Sequence, residues 1–368
     1  MRTPYFLIDE KKLKENLQIL KNVADKSGAK ILLAQKAYSC YKTYPYMQGI
    51  LCGSTASGLY EARLGHEEMG GETHIFSPCY REDEMPQILK YADHIVFNSI
   101  GQLHKFAKIC KTAGKSIGLR INPECSTQGG GIYDPCAKYS RLGVTRKNFD
   151  VNSLSLLDGL HMHTLCEQNS DALQQTVIAL EEKFGKYLKH FQWLNLGGGH
   201  HITRADYDRE KLIQIVQYLQ QKYQVQVYLE PGEAVVLDAG YLVTTVHDIV
   251  ENDIQIAILD TSATCHMPDI IEMPYTPRLE NADKPNSKAY TYRLAGGTCL
   301  AGDVIGDYSF DSPLKIGQQL KFLDMALYTM VKTNTFNGIP LPSIALLQEN
   351  GKIELLKSFS YADFKSRV

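Results

Sequence analysis

The stretch ILLAQKAYSC, residues 31–40, combines an apolar strand with a lysine at its end. Residues 31–34 are apolar at every position, which is typical of a strand that is buried on both faces of a parallel sheet. Lys36 follows almost directly, although burying an ammonium without a partner costs free energy or lowers its pKa. The ordinary explanation is a lysine that extends its charged end to solvent. The remaining sequence has to decide between that explanation and a functional lysine.

Short apolar runs of this kind recur along the first two thirds of the chain. Helix-like segments such as SDALQQTVIALEEKFGKYLKHF (170–191) separate several of them. Apolar strands that alternate with helices predict a parallel sheet covered on both faces. The runs are KILLAQ (30–35), GILCGST (49–55), THIFSP (73–78), DHIVFNS (93–99), SIGLRINP (116–123), GLHMHT (159–164), QWLNLG (192–197) and VQVYLE (225–230).

Eight such units within about 200 residues predict a (β/α)8 barrel. An open, doubly wound sheet is the alternative, but no GxGxxG motif opens a helix in this sequence. After Glu230 the pattern changes to strand-like runs with few helices, which predicts a second, mostly β domain. TPYFLID (3–9) is also strand-like and is expected to join it. We therefore predict an α/β barrel at 28–235 and a β-rich domain built from 1–27 and 236–368.

The composition is that of an ordinary globular protein. Of the 368 residues, 44% are hydrophobic and 22% charged, and the formal net charge is -2. This balance argues against a general nucleic-acid or membrane-surface binder, and no window approaches the 18 or so apolar residues of a membrane span. The N-terminus does not resemble a signal peptide, and the nine cysteines include no CxxC pair. We expect a cytoplasmic protein with reduced thiols and no metal.

The polar residues at the predicted strand ends are the candidates for chemistry, because reactive groups of a barrel lie at the C-terminal ends of its strands. Each has an ordinary explanation when taken alone, such as a loop cap, a flexible loop or a satisfied core histidine. Together they match a pyridoxal phosphate site: a lysine for the aldehyde, a flat imidazole for the ring face, backbone amides for the phosphate and a carboxylate for the pyridinium nitrogen. They are Lys36, His161, His163, Gly197, Gly198, Gly199, Glu230 and Glu233.

Several functions compete for this set of residues. A metal-dependent hydrolase using His161 and His163 leaves the triglycine and Lys36 without a role. A non-catalytic carrier of pyridoxal phosphate does not explain the long region after the barrel. An amino-acid racemase suits a cofactor with an unprotonated ring nitrogen, whereas a carboxylate at Glu230 favours the protonated ring. A protonated ring is the stronger electron sink and therefore favours decarboxylation.

Longer motifs identify the chain as similar to a known family. ASGLYEARLG, LRINPE, YSRLGV, LNLGGGHH, LEPGEAVV, GGTCLAGD and DMALYTMVKTNTFNG resemble the fold-type III pyridoxal phosphate decarboxylases, which share the alanine-racemase-like barrel. GLHMHTLCEQ, EPGEA and CHMPDIIEMPY resemble the branch of carboxynorspermidine (carboxyspermidine) decarboxylases. The resemblance implies decarboxylation of carboxynorspermidine or carboxyspermidine in polyamine biosynthesis. The alternatives are another basic amino acid, such as diaminopimelate, ornithine or arginine, and a racemase.

The resemblance also implies a role for individual residues. Lys36 resembles the Schiff-base lysine, His163 the ring-stacking histidine and Glu230 the pyridinium partner. Gly197, Gly198 and Gly199 resemble the phosphate loop, and Tyr328 resembles a tyrosine that binds the phosphate from the β domain. Cys299 resembles a cysteine that the partner subunit supplies to the active site. This last feature implies a homodimer with shared active sites.

Two positions depart from the family pattern. Relatives commonly read EPGR, whereas Glu233 ends this motif here, and Leu300 replaces the acidic residue that tends to follow the cysteine. Phosphate binding should therefore depend more on backbone amides and Tyr328. The distal ammonium groups of the substrate need acidic partners from elsewhere. The candidates are Glu233, Asp269, Glu272 and Asp303.

Overall fold

The computed structural model describes residues 1–368, and the chain divides into two compact units. One unit consists of Met1–Lys14 and Val236–Val368, and the other of Glu15–Val235. Strand β1 (Tyr5–Asp9) leads into helix α1 (Glu10–Ser27), and the first boundary lies inside this helix. We expect from the sequence a boundary at 27/28, at the end of the helix. The second boundary lies at 235/236.

The larger unit contains a closed barrel of eight parallel strands, which confirms the predicted (β/α)8 architecture. Each strand pairs with the next along the chain, and the last pairs with the first. The strands are β2 (Lys30–Ala34), β3 (Gly53–Ala56), β4 (Glu72–Phe76), β5 (His94–Phe97), β6 (Ser116–Arg120), β7 (Gly159–His161), β8 (Trp193–Asn195) and β9 (Gln226–Leu229). The helices after α1 are α2 (Leu59–Leu64), α3 (Met85–Tyr91), α4 (Ile100–Thr112), α5 (Ser170–Leu188), α6 (Arg209–Tyr223) and α7 (Glu233–Val236).

The eight apolar runs all contain barrel strands, and most strands are shorter than their runs; the largest difference is at the start of β3. The run GILCGST begins at Gly49, whereas β3 begins at Gly53. Gly49 has a φ of 77°, a left-handed conformation that belongs to a turn rather than a strand. Residues 50–52, which are apolar, therefore lie in the loop before β3.

The N-terminal end of the barrel holds one large side chain and a partly exposed ion pair. The indole of Trp193 packs so closely on Gly159 that a Cβ there would lie 2.0 Å from the ring. Glu72 accepts hydrogen bonds from Lys30, from Tyr228 Oη at 2.8 Å and from His74 Nε2 at 3.2 Å. Burial alone would raise the pKa of Glu72, but these partners lower it. Because Lys30 supplies the compensating charge, we interpret this group as structural.

The smaller unit is built on a mixed sheet of eight strands. The elements that follow the barrel are β10 (Gly240–Asn252), β11 (Ile254–Leu259), α8 (Ala263–His266), α9 (Asp269–Glu272), β12 (Tyr290–Ala295), β13 (Val304–Phe310), β14 (Gln319–Leu323), β15 (Ser343–Leu347), β16 (Ile353–Lys357) and α10 (Tyr361–Lys365). Seven of the eight strands follow the order β13-β12-β11-β10-β1-β15-β16, and β14 pairs with β10. β1 pairs antiparallel with β10 and parallel with β15, so the N-terminal strand joins this sheet as its sequence predicts.

Long apolar helices are absent from both units, and none of the helices meets the length and hydropathy needed to cross a membrane.

Candidate active site

Glu230 is a buried carboxylate at the C-terminal end of β9. Its Oε1 accepts a hydrogen bond from Asn195 Nδ2 at 2.8 Å, and its Oε2 lies 3.2 Å from His161 Nε2. Burial alone would raise the pKa of Glu230, but His161 and Asn195 together lower it to about 2. Burial lowers the pKa of His161, whereas the charge of Glu230 acts in the opposite direction, and we assign the Nε2–H of His161 as the donor to Glu230. The ends of β7, β8 and β9 thus hold one fixed negative charge.

The triglycine is tied to the same network through its backbone. The amide of Gly197 donates to Asn195 Oδ1 at 2.8 Å, and the amide of Gly198 donates to His163 Nδ1 at 3.1 Å. The second bond fixes the plane of the His163 ring and leaves the proton of a neutral ring on Nε2. Burial lowers the pKa of His163 well below its usual range, and the nearby charges of Lys36 and Arg120 add to that effect.

Close packing is the main observed reason for the three glycines. Gly197 and Gly199 have φ values of 72° and 79°, and a Cβ at Gly199 would lie 2.1 Å from Leu165 O. A Cβ at Gly198 would lie 2.5 Å from Glu230 O. From the sequence we expect three amides open to a phosphate, but two of them donate inside the protein. The amide that is not engaged in this way belongs to Gly199.

Lys36 follows β2 and lies beside the end of β9. The amide of Ala34 donates to Pro231 O at 3.1 Å, and a Cβ on Gly232 would lie 2.5 Å from Ala37 Cβ. The side chain of Lys36 reaches solvent, yet protein atoms surround it, as expected for a residue that lines a concave surface. This partial desolvation lowers the pKa of Lys36. The positive charge of Arg120 lowers it further, while the carboxylate of Glu230 acts in the opposite direction.

Arg120 belongs to this site, although it is not among the residues predicted from the sequence. It ends β6, its guanidinium lies 4.5 Å from the ring centroid of Phe76, and its Nη2 donates to His163 O at 3.1 Å. Burial lowers the pKa of Arg120 to about 10. The sequence contains the pattern that would have predicted Arg120, because this residue ends the apolar run SIGL much as Lys36 follows the run ILLA. Asn195 is likewise not predicted from the sequence. Its pattern is a polar residue between two leucines of the run QWLNLG, which indicates a buried polar group.

Glu233 begins helix α7 three residues beyond Glu230, in a region of negative charge. Its carboxylate, the carboxylate of Glu167 and the ring of His201 place possible ligand atoms within 4.8 Å of one another. Burial raises the pKa of the Cys166 thiol to about 12, and the charges of Glu233 and Glu167 contribute to this shift. The charge of Glu233 also favours the protonated form of Lys36. The end of the barrel that carries Lys36 therefore carries further acidic residues beside Glu230.

Cys299 and Asp303 lie in one loop of the sheet unit. Cys299 is exposed, and its amide donates to Asn337 Oδ1 at 2.8 Å. Asp303 is buried, and its carboxylate accepts from Ser262 Oγ, from the amide of Thr298 at 3.1 Å and from Thr298 Oγ1 at 2.7 Å. These bonds occupy the carboxylate. We therefore interpret Asp303 as the residue that holds the loop of Cys299, in place of the substrate contact considered from the sequence.

The other predicted residues of the sheet unit lie in α9 and after β14. Asp269 is buried and accepts a hydrogen bond from Thr329 Oγ1 at 3.0 Å. Glu272 is exposed and forms an ion pair with Lys332. Tyr328, next to Thr329, has a φ of 38°, a left-handed conformation that non-glycine residues adopt rarely and often at functional sites. The structure thus brings Asp269 close to the segment of Tyr328, whereas Glu272 already has a cationic partner.

Comparison with known proteins identifies the class. A family model described as "Pyridoxal-dependent decarboxylase, C-terminal sheet domain" matches residues 23–326. The fold and the site therefore define a pyridoxal-dependent decarboxylase. A carboxynorspermidine/carboxyspermidine decarboxylase of Campylobacter jejuni is 47% identical over 100% of this chain and 98% of its own length. A carboxyaminopropylagmatine decarboxylase of Synechocystis sp. is 41% identical over 100% of this chain and 95% of its own length.

A solved structure agrees with these relatives. The crystal structure of carboxynorspermidine decarboxylase from Campylobacter jejuni, in complex with norspermidine, superposes with a TM-score of 0.94. It shares 45% sequence identity, and the match covers 100% of both chains. The chain belongs to the family of the carboxynorspermidine/carboxyspermidine decarboxylases.

The occupied carboxylate of Asp303 generates a prediction about the loop of Cys299. In Asp303→Asn an NH2 group replaces one oxygen, and the backbone amide of Thr298 or Thr264 loses its acceptor. Leaving such a buried donor unsatisfied should lower the free energy of unfolding by about 1–3 kcal/mol. Amide hydrogen exchange in residues 296–303 should become faster, as measured by mass spectrometry.

A matched control is Asp311→Asn, which changes an exposed aspartate of the same unit that pairs only with Lys288. It should change neither the stability nor the exchange of the loop. Unchanged exchange in Asp303→Asn would contradict the loop-holding role.

Proposed function

We propose that this enzyme decarboxylates carboxynorspermidine or carboxyspermidine and so forms norspermidine or spermidine in polyamine biosynthesis. The observation that carries this proposal is the similarity over the whole chain to two relatives of that name, at 47% and 37% identity. The relative named carboxyaminopropylagmatine decarboxylase, at 41% identity, makes that guanidino compound the second candidate. All three substrates join an amino acid end to a chain that carries further cationic groups.

The residues at the C-terminal end of the barrel suit pyridoxal phosphate. Lys36 has a lowered pKa, which makes an uncharged amine available to bond with the cofactor aldehyde. The anionic carboxylate of Glu230 suits a protonated ring nitrogen, because opposite charges stabilise each other in a desolvated site. The ring of His163, fixed by Gly198, would lie on the face of the cofactor. The bound cofactor supplies the electron withdrawal that allows CO2 to leave the α-carbon.

The phosphate of the cofactor needs donors that the motif EPGE lacks. The amide of Gly199 and the hydroxyl of Tyr328 are the donors that we assign to it, with Gly197 and Gly198 shaping the loop. An arginine at the position of Glu233 would have supplied a charged partner, so the phosphate site of this enzyme depends more on neutral donors.

A proton has to replace the departing carboxylate on the α-carbon. We assign it to the thiol of Cys299, supplied by the neighbouring subunit, in line with its exposed position on a held loop. The amine of Lys36 would hold the cofactor when no substrate is bound. The role of Cys299 implies a homodimer in which each active site contains residues of both subunits. We also propose that the enzyme acts in the cytoplasm.

The ammonium groups of the substrate require anionic partners away from the reacting carbon. Glu233 and Asp269 are the acids that we assign to them. Glu272 already pairs with Lys332, and Asp303 is occupied by hydroxyl and amide donors, so both are less suited to this role.

The substrate proposal predicts a clear order of specificity. CO2 release should be measured with carboxynorspermidine, carboxyspermidine, carboxyaminopropylagmatine, diaminopimelate, ornithine, lysine and arginine. We expect kcat/KM for a carboxytriamine to exceed that for ornithine by about 10²-fold or more, because ornithine leaves a buried acid without its ammonium. The two carboxytriamines differ by one methylene and should differ by at most about 200-fold. Equal or better turnover of ornithine or diaminopimelate would overturn the proposal.

The role of Lys36 predicts where the cofactor is attached. Borohydride reduction of the holoenzyme should fix pyridoxal to the peptide that contains Lys36, and the visible absorption of the holoenzyme should disappear in Lys36→Ala. Lys42→Ala, which changes the next lysine along the chain, is the matched control and should retain both properties. Labelling of Lys42 in the native enzyme would show that the assignment is wrong.

Shared active sites predict complementation between two inactive variants. Lys36→Ala should lack turnover, and Cys299→Ala should have low turnover with nearly normal cofactor binding. After subunit exchange in an equal mixture, half of the dimers contain one intact site, which should restore roughly a quarter of native activity. Absence of recovery after verified exchange would place Cys299 in the site of its own chain or outside any site.

A further inference from the structure

The loop of residues 122–144, which follows β6, carries two cysteines that the proposed function does not use. The loop closes where it begins, because the amide of Asn122 donates to Val144 O at 2.9 Å. Cys125 and Cys136 lie inside it, and both are partly exposed and free of any disulfide. The barrel therefore presents two thiols on one loop, at the same end as its active site.

The buried carboxylate of Asp134 brings the two cysteines together. Its Oδ1 accepts from the amide of Cys136 at 2.9 Å, and its Oδ2 accepts from the hydroxyl of Ser126, the residue after Cys125. The amide of Cys125 also donates to the sulfur of Cys136. Because the amide and the sulfur of one cysteine flank the same Cα–Cβ bond, rotation about this bond turns the sulfur of Cys125 toward that of Cys136.

The present position of the Cys125 thiol is weakly held. Its sulfur lies 3.9 Å from Gln175 O, and a thiol is a weak donor even at shorter distances. Burial raises the pKa of both thiols, to about 11 for Cys136. The charge of Lys183 offsets part of this effect at Cys125. Cys125 is therefore the thiol to which we assign the first attack on an oxidant.

The segment between the cysteines makes few contacts of its own. Gly129, Gly130 and Gly131 have φ values of 71°, 93° and 103°, and only their chain neighbours come within 4 Å of where a Cβ would stand. The apolar side chain of Ile132 is 67% exposed. A segment with so little packing opens at a low cost in free energy. A covalent bond between its two ends would restrict that opening.

The start of this segment contacts the chain that follows β7. Thr127 Oγ1 donates to Gln168 Oε1 at 2.7 Å, and Gln128 Nε2 donates to Cys166 O at 2.6 Å. The charge of Lys36 acts on the thiol of Cys166 and favours its ionised form. A change in the position of the loop is therefore transmitted to the segment beside the lysine of the active site.

We propose that Cys125 and Cys136 are a redox-modification site, where a small disulfide such as glutathione disulfide forms a bond that fastens the loop beside the active site. The thiolate of Cys125 attacks one sulfur of the oxidant, whose S–S bond breaks and releases one thiol. The thiolate of Cys136 then attacks the sulfur of Cys125 and releases the second thiol. The protein gives up two protons and two electrons, and the oxidant takes them up as two thiols.

The test is peptide mapping of the holoenzyme after equilibration with an excess of glutathione disulfide over glutathione. The sample is quenched with acid, unfolded and alkylated before digestion. Trypsin cleaves after Arg120 and Lys138, so residues 121–138 form one peptide with both cysteines. In the oxidised protein this peptide should be lighter by two hydrogen atoms and should not be alkylated, and dithiothreitol should reverse both changes.

Single variants test the order of the two steps. Cys136→Ser should stop at a mixed disulfide between Cys125 and glutathione, because the second thiol is absent. Cys125→Ser should leave Cys136 largely as a free thiol. Cys79→Ser, which changes an exposed cysteine after β4, is the matched control and should form the disulfide like the native enzyme. Alkylation of both cysteines after oxidation, or a link from either to Cys166, would overturn the site.

Two readouts connect the bond to the active site. Hydrogen exchange in residues 127–135 should slow by about 10- to 100-fold on oxidation, because the closed ring has fewer open states. The value of kcat/KM for carboxynorspermidine, a readout that rests on the proposed function, should fall by about 5- to 150-fold, since loop opening often limits substrate entry and product release. Reduced Cys125→Ser should have native kcat/KM and should lose both responses.

The outcomes separate the redox site from the proposed function. A disulfide that changes neither exchange nor kcat/KM would overturn its control of the loop. A loss of activity that persists in oxidised Cys125→Ser would belong to another thiol, such as the exposed Cys299, and would also overturn it. Absence of turnover in the reduced native enzyme would refute the proposed function, and peptide mapping and hydrogen exchange would still decide on the redox site.

Discussion

Closure of the barrel is the constraint on which the site depends. β2 pairs with β9 in the register Lys30 to Tyr228 and Ile31 to Leu229, so the first and last strands lie side by side. Residues separated by almost 200 positions in the sequence therefore follow neighbouring strand ends. Without this one pairing, the lysine after β2 and the carboxylate after β9 would lie at opposite edges of an open sheet.

At the C-terminal end of the barrel, one acidic and two basic side chains are partly removed from water and lie close together. Their pKa values follow from this burial and from their mutual charges. The carboxylate of Glu230 stays anionic because its interactions with His161 and Asn195 outweigh the effect of its burial. Burial lowers the pKa of Lys36 and of Arg120. The negative charge of Glu230 raises both pKa values and so offsets part of that effect. The site thus separates the tasks of its groups: one fixed anion, one fixed cation and one lysine with a lowered pKa.

The strand pattern was predictable because parallel strands buried on both faces have to be apolar throughout, and the strand-end rule then located Lys36 and Glu230. The same rule would have located Arg120. Hydrogen-bond partners were not predictable, since they come from distant parts of the chain. Asp303 of GGTCLAGD is a candidate substrate-binding acid from its sequence, yet in the structure it is buried and accepts a hydrogen bond from Ser262. The glycine amides likewise find internal acceptors that no local pattern reveals.

The side-chain amide of Asn195 has a consequence for any redesign of this enzyme. Its NH2 group donates to Glu230, and its oxygen accepts from the amide of Gly197. One planar group therefore links the carboxylate to the glycine loop. If the amide of Asn195 were rotated by 180°, its oxygen would face the carboxylate of Glu230 and its NH2 group would face the N–H of Gly197. A new reaction that requires a cation in place of Glu230 would face two N–H donors, from Asn195 and His161. The negative charge at Glu230 and the shape of the glycine loop therefore cannot be changed independently of each other.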